Sequence, residues 1–588
     1  MALGRSRSTR KKEESLATVR RSQVVTTYGI GSLIPVEQES FIVLGQEYWP
    51  AQWREIASNG KRINEIQAGK FANALGVAHL FLPPTDEFFR LPVKRFPEFY
   101  LCPRCERLSY WSQLATPREN DRMVNQCRHC KVESATLRPS RFVAVCADGH
   151  IQDFPYHNWV HQGKDDFCNA AENQLYISAN PRDDSLRGLI VTCSCGAKRT
   201  LEGALGRARI GKCQGKSPWL PKDPEHCSRD LVGLQRGATS VWQSQVKSTI
   251  TVPEESKNSP IGECFNENMD WFTSTPANRL EQTIRMAAAD SGVDPEALRT
   301  FTLEKLGQNG TASSLEDLRD LEYGSLQEPF PDDGHSADFL CVPVALGQKE
   351  RDDLRLDALS SVPRLREIRA LAGFYRLDPG ANDEHPAAAL LSKTRQNWLP
   401  AIEAWGEGIF LKFDEASIAA WEKAPWPVER LERIQNASSD PRAGSASLRH
   451  LLLHSLSHIL INQLALQAGY TASSIRERIY SKPGQAGILL YTAGTDSAGS
   501  LGGLAALATP EKVREIVLGA LETARWCTAD PVCIESGVRG LDSLNLAACH
   551  FCMFVPEVSC ESNNMLLDRA LLVGTTDDPD KGFYSELF

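Results

Sequence analysis

The cysteines constrain this chain more than any other feature. Cys102-x2-Cys105 and Cys127-x2-Cys130 are two thiol knuckles separated by a short segment. A C-x2-C turn presents two sulfurs on one side, and two such turns close a tetrahedron around Zn2+. Four thiolates leave no position for a water, so the spacing predicts a structural ion and not a catalytic one. Cys193, Cys195, Cys213 and Cys227 are predicted as a second set. Cys146 and His150, in Cys146-Ala-Asp-Gly-His150, are its rival ligands; otherwise Cys146 and Cys168 read as small buried apolar residues. Cys533, Cys549, Cys552 and Cys560 are predicted as a third set, with Cys527 as a substitute for Cys533. The expected cofactor is therefore Zn2+ in two or three structural sites.

The total is 17 cysteines, an odd number, mostly in short-spaced pairs. Such usage in a large chain predicts metal binding in the cytoplasm over disulfides. The segment Met1 to Arg21 is basic but has no apolar core, so it is not read as a secretory signal. No apolar run approaches the roughly 18 residues of a membrane span, and no membrane partner is expected. The formal net charge of -9 excludes a uniformly basic coat. It leaves room for a local basic stripe on nucleic acid, or for an acidic face toward a basic partner. Arg20 and Arg21, with Arg104, Arg107, Arg128 and Lys131 on or beside the first knuckles, are the candidate DNA contacts. Their alternative reading is ordinary solvated charge. Phosphate contacts of this kind would fix position without reading bases.

A length of 588 residues predicts three or four domains. The expected fold is a multidomain α+β chain. An N-terminal α+β segment occupies 1–95, and a zinc-ribbon-like region with two cysteine clusters occupies 96–232. A helical middle and linker occupies 233–360, and a C-terminal α/β zinc-binding domain occupies 361–588. Asn278 to Ala288 has helical periodicity, and Asp294-Pro295-Glu296 is the N-cap and first turn of another helix. Pro, Gly and Asp clusters between Glu316 and Gly347 read as loop or linker. Further on, Gly408 to Phe413 and Gly487 to Tyr491 read as strands, Ser447 to Ala468 as an amphipathic helix, and Thr509-Pro510-Glu511 as the start of another helix.

Catalytic signals are sparse. His450, His454 and His458 recur at i, i+4 and i+8 on the predicted helix, a spacing two metal-binding histidines would share. The glutamate of an H-E-x-x-H zincin is missing, so hydrogen-bonded core or interface histidines are the favoured reading. The glycine-rich turn from Tyr491 to Gly503 lacks the Gly-Lys-Ser/Thr of a P-loop, and no ATPase or other catalytic motif is assigned. Two alternatives stand beside a non-catalytic nucleic-acid subunit. One is a metal-dependent nuclease or hydrolase using His454, His458 and Asp496. The other is a pure interaction scaffold without DNA contact.

The C-terminal residues carry a resemblance. His454 and His458 on one helix, Arg476-Glu477-Arg478-Ile479-Tyr480, the Asp496 to Leu504 turn and Cys549-His550-Phe551-Cys552 to Cys560-Glu561 occur in that order. Asn564 and Leu567-Asp568-Arg569 follow. The series resembles the zinc-binding C-terminal domain of MrfA-type superfamily 2 helicases, without their upstream motor. A wider series includes Arg21-Ser22-Gln23, Tyr28-Gly29-Ile30-Gly31, Cys146 to His150 and Asp153-Phe154-Pro155. It continues through Leu365-Arg366-Glu367, Gly373-Phe374 and Gly406-Glu407-Gly408-Ile409-Phe410. It is similar to the DrmB family of DISARM bacterial defence systems. That resemblance implies a partner helicase, DrmA, engagement of foreign DNA by the pair, and a DNA methyltransferase of the same system marking host DNA.

Overall fold

The computed structural model describes residues 18–50, 64–83, 90–117, 123–130, 135–163, 168–169, 173–206, 210–252, 260–305, 314–330, 338–377, 388–494, 503–535, 537–540 and 544–588. One mixed sheet organises the chain, and the expected α+β class is observed. Its strands are β1 (Glu65–Ile66), β2 (His79–Phe81), β3 (Gln243–Ile250), β4 (Leu340–Val344), β5 (Leu356–Tyr375), β6 (Trp398–Phe413), β7 (Ile475–Tyr480) and β8 (Gly487–Gly494). The order is β3-β5-β6-β8-β7, with β4 on β5 and the β1–β2 pair on β6. The β2–β6 pairing is parallel. Segments 1–95, 233–360 and 361–588 therefore each contribute strands to a single sheet.

Local sequence explains why β6 and β8 can lie so close. A Cβ on Gly406 would stand 1.4 Å from the Thr492 carbonyl oxygen, and one on Gly408 would stand 2.7 Å from that of Leu490. The Gly-Glu-Gly spacing thus admits the neighbouring backbone where a side chain would block it. Helices α1 (Leu315–Ser325) and α2 (Leu448–Ala468) lie against this sheet, and α3 (Pro510–Ala524) packs on α2. The Ser447 hydroxyl caps α2 by accepting from the His450 amide at 3.1 Å, and Gly469 ends it at φ 71°. Thr509 accepts from Lys512 at 3.4 Å to open α3. The predicted Asp294 cap accepts from the Ala297 amide at 2.8 Å and opens the helix Pro295–Lys305.

Two expectations change. The helix Ser447 to Ala468 is present but is not amphipathic over its first three turns. Residues 451–460 are buried on every face. Strands β7 and β8 cover one side, and α3 with Leu566, Leu567, Leu571 and Leu572 covers the other, all within one apolar core. The stretch from Glu316 to Gly347 is not simply linker either, since α1 and β4 lie in it. A reciprocal cap starts α1: the Asp317 amide donates to Ser314 Oγ at 3.1 Å and the Ser314 amide to Asp317 at 2.8 Å. Glu322 of α1 is then buried against Arg478 of β7, with Nη2–Oε1 at 2.6 Å.

The cysteine-rich region is built mainly of short strands, with short helices at Trp111–Leu114 and Tyr156–His161. A six-stranded sheet takes strands from Phe99–Leu101, Arg107–Tyr110, Arg138–Pro139, Leu175–Ala179, Leu189–Cys193 and Lys198–Thr200. A three-stranded sheet combines Phe142–Val145, Ile151–Asp153 and Val232–Gln235. Among the described residues no helix is long and apolar enough to cross a membrane.

Candidate metal centres

Cys102, Cys105, Cys127 and Cys130 come together as the spacing predicts. The first knuckle turns between the strands Phe99–Leu101 and Arg107–Tyr110. It is held by the Cys102 amide donating to Arg107 and the Glu106 amide to Cys102, each at 2.9 Å. Sulfur separations are 3.5 Å for Cys102–Cys130 and 3.8 Å for Cys105–Cys127. A tetrahedron of about 2.3 Å Zn–S bonds has edges of about 3.8 Å, so the donor set fits Zn2+.

The predicted second set does not assemble. Cys193 and Cys195 belong to one cluster and Cys213 and Cys227 to another. Each pair is completed by a cysteine and a histidine from upstream. Cys213 and Cys227 meet Cys146 and His150, the rival pair of the sequence reading. The Cys146–His150 turn joins two paired strands and needs Gly149 at φ 81°. His150 faces Cys146 through Nδ1 at 3.4 Å and donates from Nε2 to Glu225 at 2.6 Å. A carboxylate behind a ligating imidazole fixes its tautomer and raises its basicity. The hydrogen bond with Cys146, opposed by burial and helped by Glu225, shifts His150 upward. The hydrogen bond with Cys213, together with burial, pushes the Cys146 thiol up to about 12.

Cys193 and Cys195 meet His161 and Cys168. His161 ends the helix Tyr156–His161, and its Nε2 lies 3.1 Å from Cys168 and 3.2 Å from Cys195. The Cys168–Cys193 separation is 3.6 Å. His161 Nδ1 donates to the His157 carbonyl at 2.7 Å, which leaves the Nε2 lone pair toward the sulfurs. The exposed Cys195 thiol is drawn down to about 6 by the Ala197 amide and by His161. Cys168 thus stands among four candidate ligands instead of being a small apolar residue packed alone.

The third predicted set also changes by one member. Cys527, Cys533, Cys549 and Cys552 gather, with separations of 3.5 Å for Cys527–Cys549, 3.8 Å for Cys533–Cys552 and 3.7 Å for Cys549–Cys552. Cys527 joins Cys533 instead of replacing it, and Cys560 lies elsewhere, beneath α2. A hydrogen bond from Cys552 holds Cys533 down at about 5, and Cys552 rises in turn. Sulfurs this close compete for negative charge, a competition that a cation removes.

Sequence spacing found the two tight knuckles and missed His161 because nothing links it to a cysteine pair more than thirty residues away. The useful signal was incompleteness. Cys193-x-Cys195 is tighter than an ordinary knuckle and Cys213 and Cys227 are separated by thirteen residues, so neither pair brings four ligands by itself. Of the basic candidates, Arg20 and Arg104 are exposed and Arg21 and Arg107 are half-buried. Arg128 donates to the carbonyls of Ala115 at 2.7 Å and Ser112 at 2.9 Å. Lys131 and Asp496 lie outside the described residues.

The chain is thus an α+β protein carrying a zinc-binding domain at its C-terminal end, since residues 456–553 match the MrfA Zn-binding domain. That match includes Cys527, Cys533, Cys549 and Cys552; it begins after His454 and stops before Cys560. Residues 20–243 match a domain of unknown function, DUF8724. Along its length the chain is similar to the DISARM protein DrmB of Bacillus paralicheniformis. The two are 29% identical over 575 residues, which is 93% of this chain and 99% of the relative. The resemblance to DrmB read from the ordered motifs is borne out.

Proposed function

We propose that this chain is a subunit of a DISARM antiphage defence system, a zinc-stapled scaffold that partners a DrmA-like superfamily 2 helicase and helps bind foreign DNA. The likeness to DISARM protein DrmB, running along 93% of the chain, carries this reading. Catalysis is assigned to the helicase. The sequence has no P-loop, and four-donor clusters rich in thiolate leave no open coordination position. In the hydrolase alternative a substrate must reach His454 and His458, which are both 0% exposed. Host DNA is marked by the methyltransferase of the same system, and the complex works in the cytoplasm.

The proposed DNA-facing residues are Arg20, Arg21, Arg104, Arg107, Arg128 and Lys131. Arg104 stands exposed on the first knuckle, beside the four thiols that could hold zinc. Arg128 is partly spent on backbone carbonyls, which makes Arg104 the better phosphate contact.

The test is copurification with the neighbouring helicase, then DNA binding and ATP turnover of each chain alone and together. The chain alone is expected to neither hydrolyse ATP nor cut DNA, and the pair to bind DNA more tightly or turn over ATP at a changed rate. The logarithm of affinity should fall with the logarithm of salt by about 0.9 per phosphate neutralised, and Arg104→Ala should reduce that slope by about one. Salt-independent behaviour favours a scaffold without DNA contact. Metal-dependent cleavage by the chain alone favours the hydrolase.

A further inference from the structure

Cys560, left out of the C-terminal thiolate cluster, sits in a different kind of site. It lies with His454 and His458 of α2 and Glu477 of β7, and the four ligand atoms are all within 4.8 Å of one another. His454 Nε2 is 3.1 Å from Cys560 Sγ and 3.2 Å from Glu477 Oε1. His458 Nε2 is 3.6 Å from the same carboxylate oxygen. Both histidines and Glu477 are at most 1% exposed, and Cys560 is 8% exposed.

The surrounding hydrogen bonds set the protonation of each group. His454 donates from Nδ1 to the Leu566 carbonyl at 3.2 Å, and His458 donates from Nδ1 to the Met553 carbonyl at 2.9 Å. With the proton on Nδ1, both Nε2 lone pairs point at the centre. Glu477 already accepts from the Glu561 amide at 3.1 Å and from the Ser457 hydroxyl, as an ionised carboxylate does. Cys560 Sγ accepts from the amides of Ser562 and Asn564, each at 3.3 Å, as a thiolate does. Four electron-pair donors therefore converge in a space closed to water. His458 Nε2 is buried and has no hydrogen-bond partner. A buried polar atom without a partner is costly, and two anions beside two lone pairs are costlier still.

We propose that His454, His458, Glu477 and Cys560 bind a further Zn2+ ion, structural in role and distinct from the thiolate-rich sites. Two neutral imidazoles, one carboxylate and one thiolate carry two negative charges, which a divalent cation neutralises. Tetrahedral N and O ligands at about 2.1 Å from a metal stand about 3.4 Å apart, a value that the N–O separations of 3.2 and 3.6 Å bracket. The N–S separation of 3.1 Å is shorter than the roughly 3.6 Å edge of a Zn–S and Zn–N pair, so seating the ion would move Cys560 outward slightly. The donors are closed on all sides, so no position remains for a reacting water. The ion would join α2, β7 and the C-terminal loop that carries Cys560, and the two carbonyls behind the histidines belong to residues flanking that loop.

The competing occupant is a pair of protons, one on each histidine. Crystals of the whole chain, with anomalous maps recorded on both sides of the zinc edge, separate the two. An anomalous peak among these four side chains is expected, beside the peak at Cys102, Cys105, Cys127 and Cys130. A peak at the latter with none at the former overturns the proposal. Elemental analysis of Glu477→Gln gives a second reading: a folded variant is expected to lose one zinc per chain. An unchanged zinc content in a folded variant also overturns it.

Discussion

Asp153 shows how one carboxylate reports on its surroundings. It ends the strand Ile151–Asp153, and its Oδ1 accepts from the Phe99 amide at 2.9 Å. Burial raises it to about 6, against the opposing effect of that hydrogen bond. An acid raised in the folded state holds its proton more tightly there than when unfolded. Ionising it therefore costs stability as pH rises past its ordinary value, and the cost is complete above about pH 6. Two pKa units correspond to roughly 3 kcal/mol at most. Asp153→Asn keeps the acceptor for Phe99 and removes the charge. Its unfolding free energy from urea titration should exceed that of the parent at pH 8 by roughly 1–3 kcal/mol, with the difference shrinking toward pH 5. A difference that does not change with pH would mean that the carboxylate is neutralised by some other route.

At the scale of the element, α2 is the member on which the C-terminal core depends. Leu456 is 1% exposed on a helix with core on both sides. Leu456→Ala should cost about 2–5 kcal/mol, because neither β7 and β8 nor α3 can close the gap freely. The check is the thermal or urea midpoint against an exposed control such as Leu466→Ala, at 79% exposure. The helix itself was legible in sequence, from its length, its Ser447 cap and its apolar content. Its surroundings were not. Periodicity reports a polar stripe at His450, His454 and His458, but does not say that His454 and His458 face Glu477 and Cys560 rather than water. The same limit applied to α1. Proline, glycine and aspartate in residues 331–337 drew attention away from the Ser314–Asp317 cap that opens it. The knuckle at Cys102 to Cys130 was legible because its four ligands are near neighbours in sequence. Sites that borrow a histidine across a fold are set by tertiary contact, which spacing does not encode.

Across the whole molecule, Arg376 ties parts that sequence keeps far apart. It is 0% exposed and donates to the Gly149 carbonyl at 2.9 Å, to that of Val241 at 2.6 Å and to that of Gly31 at 2.9 Å. Its side chain carries the end of β5 to the turn that holds Cys146 and His150. Burial lowers it to about 9, since the three acceptors are carbonyls and not acids. Metal removal at that turn should therefore be felt beyond the cysteine-rich region. Each structural zinc contributes on the order of 10 kcal/mol of folding free energy, comparable with the net stability of a domain. A strong chelator applied to the whole chain should abolish the near-ultraviolet circular dichroism of its tryptophans and lower the unfolding midpoint. Loss of metal with both signals unchanged would show that these clusters are not structural.

The two clusters built from Cys146 to Cys227 are nested. One uses residues 146, 150, 213 and 227, and the other, using 161, 168, 193 and 195, lies wholly between its halves. Closing the inner loop first shortens the chain that the outer one must bring together, and loop closure costs less as the loop shortens. The nesting therefore favours closure from inside outward, by about 0.6 kcal/mol for each halving of the outer loop.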